Sequence, residues 1–428
     1  MTDAAPAATP RRAGTRRLAW LIGPALVAGV AYLDPGNVAS NMTAGARYGY
    51  LLVWVVVLAN VMAWLIQYLS AKLGIVTGHS LPETLGTRIR SKWGRRAYWL
   101  QAELVAMATD IAEVIGGAVA LWLLFGIPLL WGGLITGTIS LLLLIVQSRG
   151  GAKPFEFVVI AMVAVIAVGF TYGVFVAPPD PAGVLAGMVP RFEGTDSVLL
   201  AASILGATVM PHAIYAHSAL ARDRFAPSGP GPRIGVDLEA LRGLSTPRLL
   251  RATKWDVTIA MAIAGTVNLC ILLLAAANLA GVPGTDSLEG AYAALYDGIG
   301  PLVATLFAVG LLASGLASTS VGAYAGAEIM HGLLKVRVPL ITRRLVTLVP
   351  ALIILGIGFD PTLALVLSQV VLSFGIPFAL VPLVALTARR DVLGEYRNRV
   401  ATTIAGVAAS LFLIALNGVL LWLVFTGA

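Results

Sequence analysis

Cysteine is almost absent from this chain. Cys270 stands alone in an apolar run, so no disulfide forms within the chain and no cysteine-based zinc site exists. Charge is scarce too: Asp, Glu, Lys and Arg make up 12% of 428 residues, while 58% are hydrophobic. A soluble domain carries about 25% charged residues, so lipid is the solvent here. The motifs of hydrolytic chemistry are missing. No H-E-x-x-H, Walker loop, G-x-S-x-G or strand-borne GxGxxG occurs, which leaves ATP hydrolysis and intramembrane proteolysis without support. Strand-like alternation is missing as well, which excludes a β-barrel. The net charge of +8 does not point to nucleic acid, because the basic residues fall in short loops between apolar runs. No enzyme activity, no cofactor and no obligatory protein partner is expected.

What is present is an all-α membrane pattern. Eleven apolar segments run over about 19–46, 50–74, 98–124, 128–147, 154–177, 196–221, 254–280, 301–330, 343–358, 362–386 and 401–426. Helices are the only open-ended structures that satisfy their own backbone in lipid. Arg11, Arg12, Arg16 and Arg17 before the first segment mimic a signal peptide. That apolar run continues to about Ala46, too long for a cleaved segment, and reads as the first span. With the N-terminus in the cytoplasm, 27 of the 29 Lys and Arg residues fall inside, and only Arg47 and Arg191 fall outside. One missed span would scramble that split. The expectation is therefore a multi-pass protein of the cell membrane with its C-terminus outside. The inside stretch 222–253, with its Pro and Gly residues at 227–232, reads as irregular. The outside stretch 281–300 reads as a solvated acidic loop with Asp286, Glu289 and Asp297. Arg343 and Arg344 are expected to snorkel from the inner end of the short ninth segment.

Two spans are interrupted. Asp34-Pro35-Gly36-Asn37 puts a carboxylate, two helix breakers and a carboxamide inside the first. Ala207-Thr208-Val209-Met210-Pro211-His212 breaks the sixth. Non-helical backbone at that depth is tolerated only inside protein or along a wet cavity. Each break opens a set of five spans, and an odd count inverts the second set. That is the 5+5 inverted repeat of LeuT-type transporters, with the site at the midplane. The expected division is a cytoplasmic tail at 1–18, a first repeat at 19–177, a second at 196–386 and an eleventh helix at 401–426.

These motifs resemble those of the natural resistance-associated macrophage protein (Nramp) family of divalent-metal transporters. Asp34-Pro35-Gly36-Asn37 is similar to its first-span motif, and Gly206 through His212, followed by Tyr215-Ala216-His217-Ser218, to its sixth. Thr109-Asp110-Ile111-Ala112-Glu113 resembles its third-span acidic pair, and the run from Leu367 to Phe378 its tenth span. Ala327 departs from the Gln that many relatives carry. The resemblance covers 19–425 and implies proton-coupled import of manganese, iron(II) and similar metals.

Asp34 and Asn37 offer hard oxygen ligands. No Lys or Arg falls at mid-depth of a predicted span, so a cation is the natural partner of Asp34. Asn37 reads as a ligand, as a cap for the second half of its helix, or as both. Met210 is a soft thioether at the break, which makes it a selectivity element against Ca²⁺ and Mg²⁺. The Ala207 carbonyl is the further contact that the resemblance implies. Gln369 reads equally as a helix–helix hydrogen bond or as a ligand on closure. Glu103, Asp110 and Glu113 share one helix face and suggest a polar track for protons, with His212 and the inner Arg343 and Arg344 beside it. Bracing of helices is the other reading for Asp110 and His212. Three rivals stand: a Na⁺-coupled amino-acid symporter of LeuT type, a magnesium-selective relative, which Met210 argues against, and a metal-gated channel or sensor.

Overall fold

The computed structural model of the chain describes residues 24–150, 152–225, 245–336 and 338–427. The tail at 1–18 with its four arginines, the stretch 227–232, Arg233, Arg242 and Arg337 lie outside the described residues. Among the described residues, every regular element is helical. The first apolar segment is split into α1 (Pro24–Gly29), a 3-10 turn (Val30–Leu33) and α2 (Pro35–Tyr48). Then come α3 (Val53–Thr77), a short α4 (Leu81–Arg88), α5 (Lys92–Phe125), α6 (Leu129–Gly150), α7 (Ala152–Val176) and a short α8 (Pro181–Ala186). The sixth segment is split into α9 (Gly194–Thr208) and α10 (Pro211–Phe225). The chain continues through α11 (Thr246–Asn278), α12 (Leu288–Gly298), α13 (Pro301–Leu334), α14 (Leu340–Gly356), α15 (Pro361–Ala388), α16 (Arg390–Leu393) and α17 (Val400–Thr426).

Seven of these stretches are long and apolar enough to cross a bilayer by length and composition, with α9 and α10 counted as one. At about 1.5 Å per residue the 34-residue α5 spans about 51 Å, more than the roughly 30 Å hydrocarbon core, so its first turns lie beyond it. The α9–α10 stretch is 94% buried over its most apolar window and α17 only 33%. The broken helix is thus central and the last helix peripheral. Asn417 fastens α17 to α15: its carboxamide accepts from Ser373 Oγ at 2.7 Å and donates to the Ser373 carbonyl at 2.9 Å.

Proline sets the helix starts. Pro35, Pro181, Pro301 and Pro361 sit in the first turn, where the missing N–H costs nothing and φ is already helical. Gly78 and Gly126 end α3 and α5 in the left-handed conformation that favours glycine. Elsewhere glycine permits close helix contact. A Cβ at Gly74 would lie 2.0 Å from the Ser218 carbonyl oxygen, and one at Gly116 would lie 2.1 Å from Pro35 Cβ.

Two local expectations change. The stretch 281–300 is not an open loop. It carries α12, and Asp286 pairs with Arg47 at 2.8 Å. Arg343 and Arg344 do not snorkel. Both are buried in α14 and turned toward α5. Three carboxylates on α5 outcompete water for the guanidiniums, and Gly326 opposite leaves the room: a Cβ there would lie 2.1 Å from Arg343.

Candidate functional site

The first break is built by Asp34. Its backbone turns extended (φ −72°, ψ 163°), and its carboxylate caps the helix that Pro35 begins. Asp34 Oδ1 accepts from the Asn37 backbone N–H at 2.8 Å and from Asn37 Nδ2 at 2.9 Å. Oδ2 accepts from Gln369 Nε2 at 3.1 Å. The second break follows from Val209, at φ −107° and ψ 46°, with Met210 and Pro211 behind it. The freed Ala207 carbonyl accepts from Asn37 Nδ2 at 2.7 Å. Thr208 Oγ1 donates to Asn37 Oδ1 at 3.3 Å. The two breaks therefore touch through Asn37, which caps and bridges at once.

Asp34, Asn37, Ala207, Met210 and Gln369 all have zero exposure. Asp34 makes no ion pair among the described residues; its partners are two carboxamides and the Asn37 backbone N–H. Gln369 Oε1 is buried with no hydrogen-bond partner, an oxygen available to a cation. Met210 is buried at the break, directly before Pro211. Among the described residues no cluster of three or more His, Cys, Asp or Glu side chains could hold a metal ion. The donor set at the breaks is instead one carboxylate, two carboxamides, a carbonyl and a thioether.

Polar layers close the breaks on both sides. Toward α2's far end, Ser40 Oγ donates to the Gly36 carbonyl and meets Ser203 Oγ at 2.6 Å, and Ser203 Oγ donates to the Val366 carbonyl at 3.1 Å. Beyond them lies a cavity of about 300 Å³ lined by Thr43, Arg47, Asp196, Asp286, Asp360 and Val366. On the opposite side Gln67 donates to the Tyr32 hydroxyl and meets His217 Nδ1 at 2.6 Å. Asn268 Nδ2 donates to the Tyr32 carbonyl at 3.0 Å. Sequence reasoning passed over Gln67 and Asn268. A carboxamide in the middle of an apolar span was the signal available for each.

A second centre lies along α5. Arg343 Nε donates to Glu103 Oε1 at 3.0 Å and Nη1 to Asp110 Oδ2 at 3.0 Å. Arg344 Nη1 donates to Asp110 Oδ1 at 2.8 Å and Glu113 Oε2 at 3.2 Å. Arg344 is also held by Ser140 and Thr319, which the sequence did not single out. Glu103 Oε2, Glu113 Oε1 and Arg343 Nη2 keep no partner. Three carboxylates face two guanidiniums. His212, two residues past Met210, meets Thr109 Oγ1 at 3.1 Å, and Thr109 precedes Asp110. The structure thus gathers the three acids and both arginines into one cluster, and His212 reaches the same helix at the adjoining Thr109. His79 and His331 stay apart; His79 lies 3.9 Å from Glu83.

Two touching helix breaks, sealed on both sides around a lone carboxylate, define a secondary transporter of the LeuT-type fold. The chain belongs to the Nramp family: the model of natural resistance-associated macrophage protein-like sequences matches residues 25–423. It is 59% identical over 408 residues to the divalent metal cation transporter MntH of Mycobacterium tuberculosis, covering 95% of this chain and 92% of that one. The MntH of Deinococcus radiodurans is 48% identical over 414 residues, covering 96% and 91%. Among solved structures, the manganese transporter of Eremococcus coleocola in complex with an aromatic bis-isothiourea substituted compound superposes with a TM-score of 0.81 at 31% identity. That match covers 96% of this chain and 87% of that one.

Proposed function

We propose that the chain imports divalent transition-metal ions, Mn²⁺ and Fe²⁺ foremost, together with protons, by alternating access. One observation carries the reading. Asp34 is a fully buried carboxylate at two touching helix breaks, with amide partners and no cation among the described residues. The shell is Asp34, the Asn37 carbonyl oxygen, the Ala207 carbonyl and the Met210 thioether, with Gln369 joining on closure. Asn37 and Gln369 direct N–H groups at Asp34 here; turning each carboxamide about its last bond presents oxygen instead. One charge and mixed oxygen and sulfur donors suit borderline metals and leave the ion weakly enough held to be released. The names of the relatives, divalent metal cation transporters and a manganese transporter, support the same substrate class.

Protons take the separate line from His212 through Thr109 to Asp110, then Glu113 or Glu103 beside Arg343 and Arg344. Three acids against two guanidiniums leave one carboxylate in excess, which a proton neutralises. The charge asymmetry supports eleven crossings with the N-terminus in the cytoplasm and the C-terminus outside, in the cell membrane. The repeats are 19–177 and 196–386. The membrane potential then draws the metal inward with about 2.3 kcal/mol per charge per 100 mV.

The test is Mn²⁺ entry and internal pH followed together in proteoliposomes. The expected result is saturable uptake with acidification, abolished by Asp34→Ala in a protein that remains folded. Wild-type uptake by Asp34→Ala would refute the site, and non-saturating flux would favour a channel.

A further inference from the structure

Between α16 and α17 lies a group of charges that transport does not use. Glu395, Arg397, Asn398, Arg399, Val400 and Ile404 line a surface pocket of about 550 Å³. Asn398 is pinned behind it: its backbone N–H donates to the Thr387 carbonyl at 2.9 Å and Nδ2 to Thr387 Oγ1 at 2.8 Å. Its Oδ1 accepts from Lys72 Nζ at 3.1 Å. Lys72 is only 7% exposed, and among the described residues its partner is that neutral oxygen, not a carboxylate. Arg397 and Arg399 likewise make no ion pair among the described residues, whereas nearby Arg88 and Arg389 share Asp391. With Glu395 counted against them, the three cations leave two positive charges in excess. Beside them Val400 and Ile404 turn apolar side chains outward, 75% and 62% exposed.

Uncompensated cations beside an outward apolar wall, at the end of a spanning helix, match one chemistry: a phosphodiester with an acyl chain attached. We propose that this pocket binds the headgroup of an anionic phospholipid of the cytoplasmic leaflet. Arg397 and Arg399 hold the phosphate, Lys72 adds field through Asn398, and the acyl chain runs along Val400 and Ile404. The leaflet rests on the orientation proposed above. Asn398 joins α3, the end of α15 and the start of α17, so the lipid would press on three transport helices at one point.

Native mass spectrometry of the intact protein in detergent tests this, with phosphatidylglycerol or phosphatidylcholine titrated in. Phosphatidylglycerol should be retained over phosphatidylcholine. Arg397→Ala with Arg399→Ala should weaken its retention about 25-fold, about fivefold per arginine. Arg88→Ala with Arg90→Ala, at the neighbouring basic pocket, should leave it unchanged. Equal retention of the two lipids, no effect of the Arg397/Arg399 pair, or an equal loss in the Arg88/Arg90 pair would overturn the proposal. So would displacement by millimolar inorganic phosphate, which marks an anion site. The readout needs neither transport nor sidedness. Labelling of Thr403→Cys from outside would overturn the orientation and leave the binding result standing.

Discussion

A single methyl group at Gly36 separates the packing of the site from its chemistry. Gly36 lies in the first turn of α2, and a Cβ there would sit 1.8 Å from Gln369 Nε2, 2.3 Å from its Cδ and 2.6 Å from its Cγ. All three atoms belong to a flexible side chain, so Gln369 swings away and the backbone stays. The Asp34–Gln369 hydrogen bond at 3.1 Å is lost. The same displacement withdraws the Gln369 oxygen from the metal's shell, and one polar contact to a charge is worth about 1.5 kcal/mol, about tenfold in an equilibrium constant. Alanine regains roughly 0.5–1 kcal/mol of backbone entropy relative to glycine, so folding stability changes little. Gly36→Ala should therefore unfold near the wild-type temperature and raise the KM for Mn²⁺ about tenfold. In a double-mutant cycle, Gln369→Ala should add little to it, because both changes remove one group. Gly206→Ala is the contrast: its Cβ would lie 1.9 Å from the Gln369 carbonyl oxygen, which is backbone and cannot yield. That variant should lose about 1–3 kcal/mol of stability by overpacking. A wild-type KM in Gly36→Ala, or full additivity with Gln369→Ala, refutes the reasoning.

Three further outcomes follow from the two centres. Met210→Ala should keep Mn²⁺ uptake, admit Ca²⁺ and lose Cd²⁺ affinity more steeply than Mn²⁺ affinity; competition assays that still exclude Ca²⁺ would move selectivity elsewhere. Asp110→Asn should lower the proton influx accompanying each Mn²⁺ and flatten the pH dependence of uptake, and unchanged acidification per metal would leave Asp110 a brace. Arg344→Met leaves Asp110 Oδ1 and Glu113 Oε2 without their guanidinium and should cost about 3–5 kcal/mol in thermal unfolding; a wild-type transition would show that the ion cluster carries no stability.

The breaks were legible because proline, glycine and a carboxylate inside lipid have few bland explanations. The shared face of Glu103, Asp110 and Glu113 was legible from helical spacing alone. The arginine partners were not. Arg343 and Arg344 sit near the end of a short apolar segment, where snorkelling is the ordinary outcome. Only the tertiary placement of α14 against α5 decides that they turn inward. Gln67 and Asn268 were hidden for a related reason. A carboxamide deep in a long apolar helix takes its role from whichever helix faces it. The stretch 281–300 differs only in its backbone: Glu289 and Asp297 are exposed as expected, but they ride on the helix Leu288–Gly298 rather than on a loop.

Under the proposed reading, the separation of the two centres also explains how they communicate. Pro35 nests against Gly116, one turn beyond Glu113, so the first break rides directly on the helix that bears the acids. Any movement of α1 and α2 that opens the metal site must slide along that contact. A divalent cation at Asp34 also repels a proton from the nearby acid cluster, strongly so in a low-dielectric interior. By linkage a proton held there weakens the metal by the same factor. Metal arrival thus favours passage of the proton from Asp110 on to Glu113 or Glu103. The guanidiniums hold all three carboxylates in place through four hydrogen bonds, so one proton can move without the cluster collapsing. Replacing either arginine by a neutral residue removes that anchor, which is why structure and coupling are expected to fail together there but separately at Asp110.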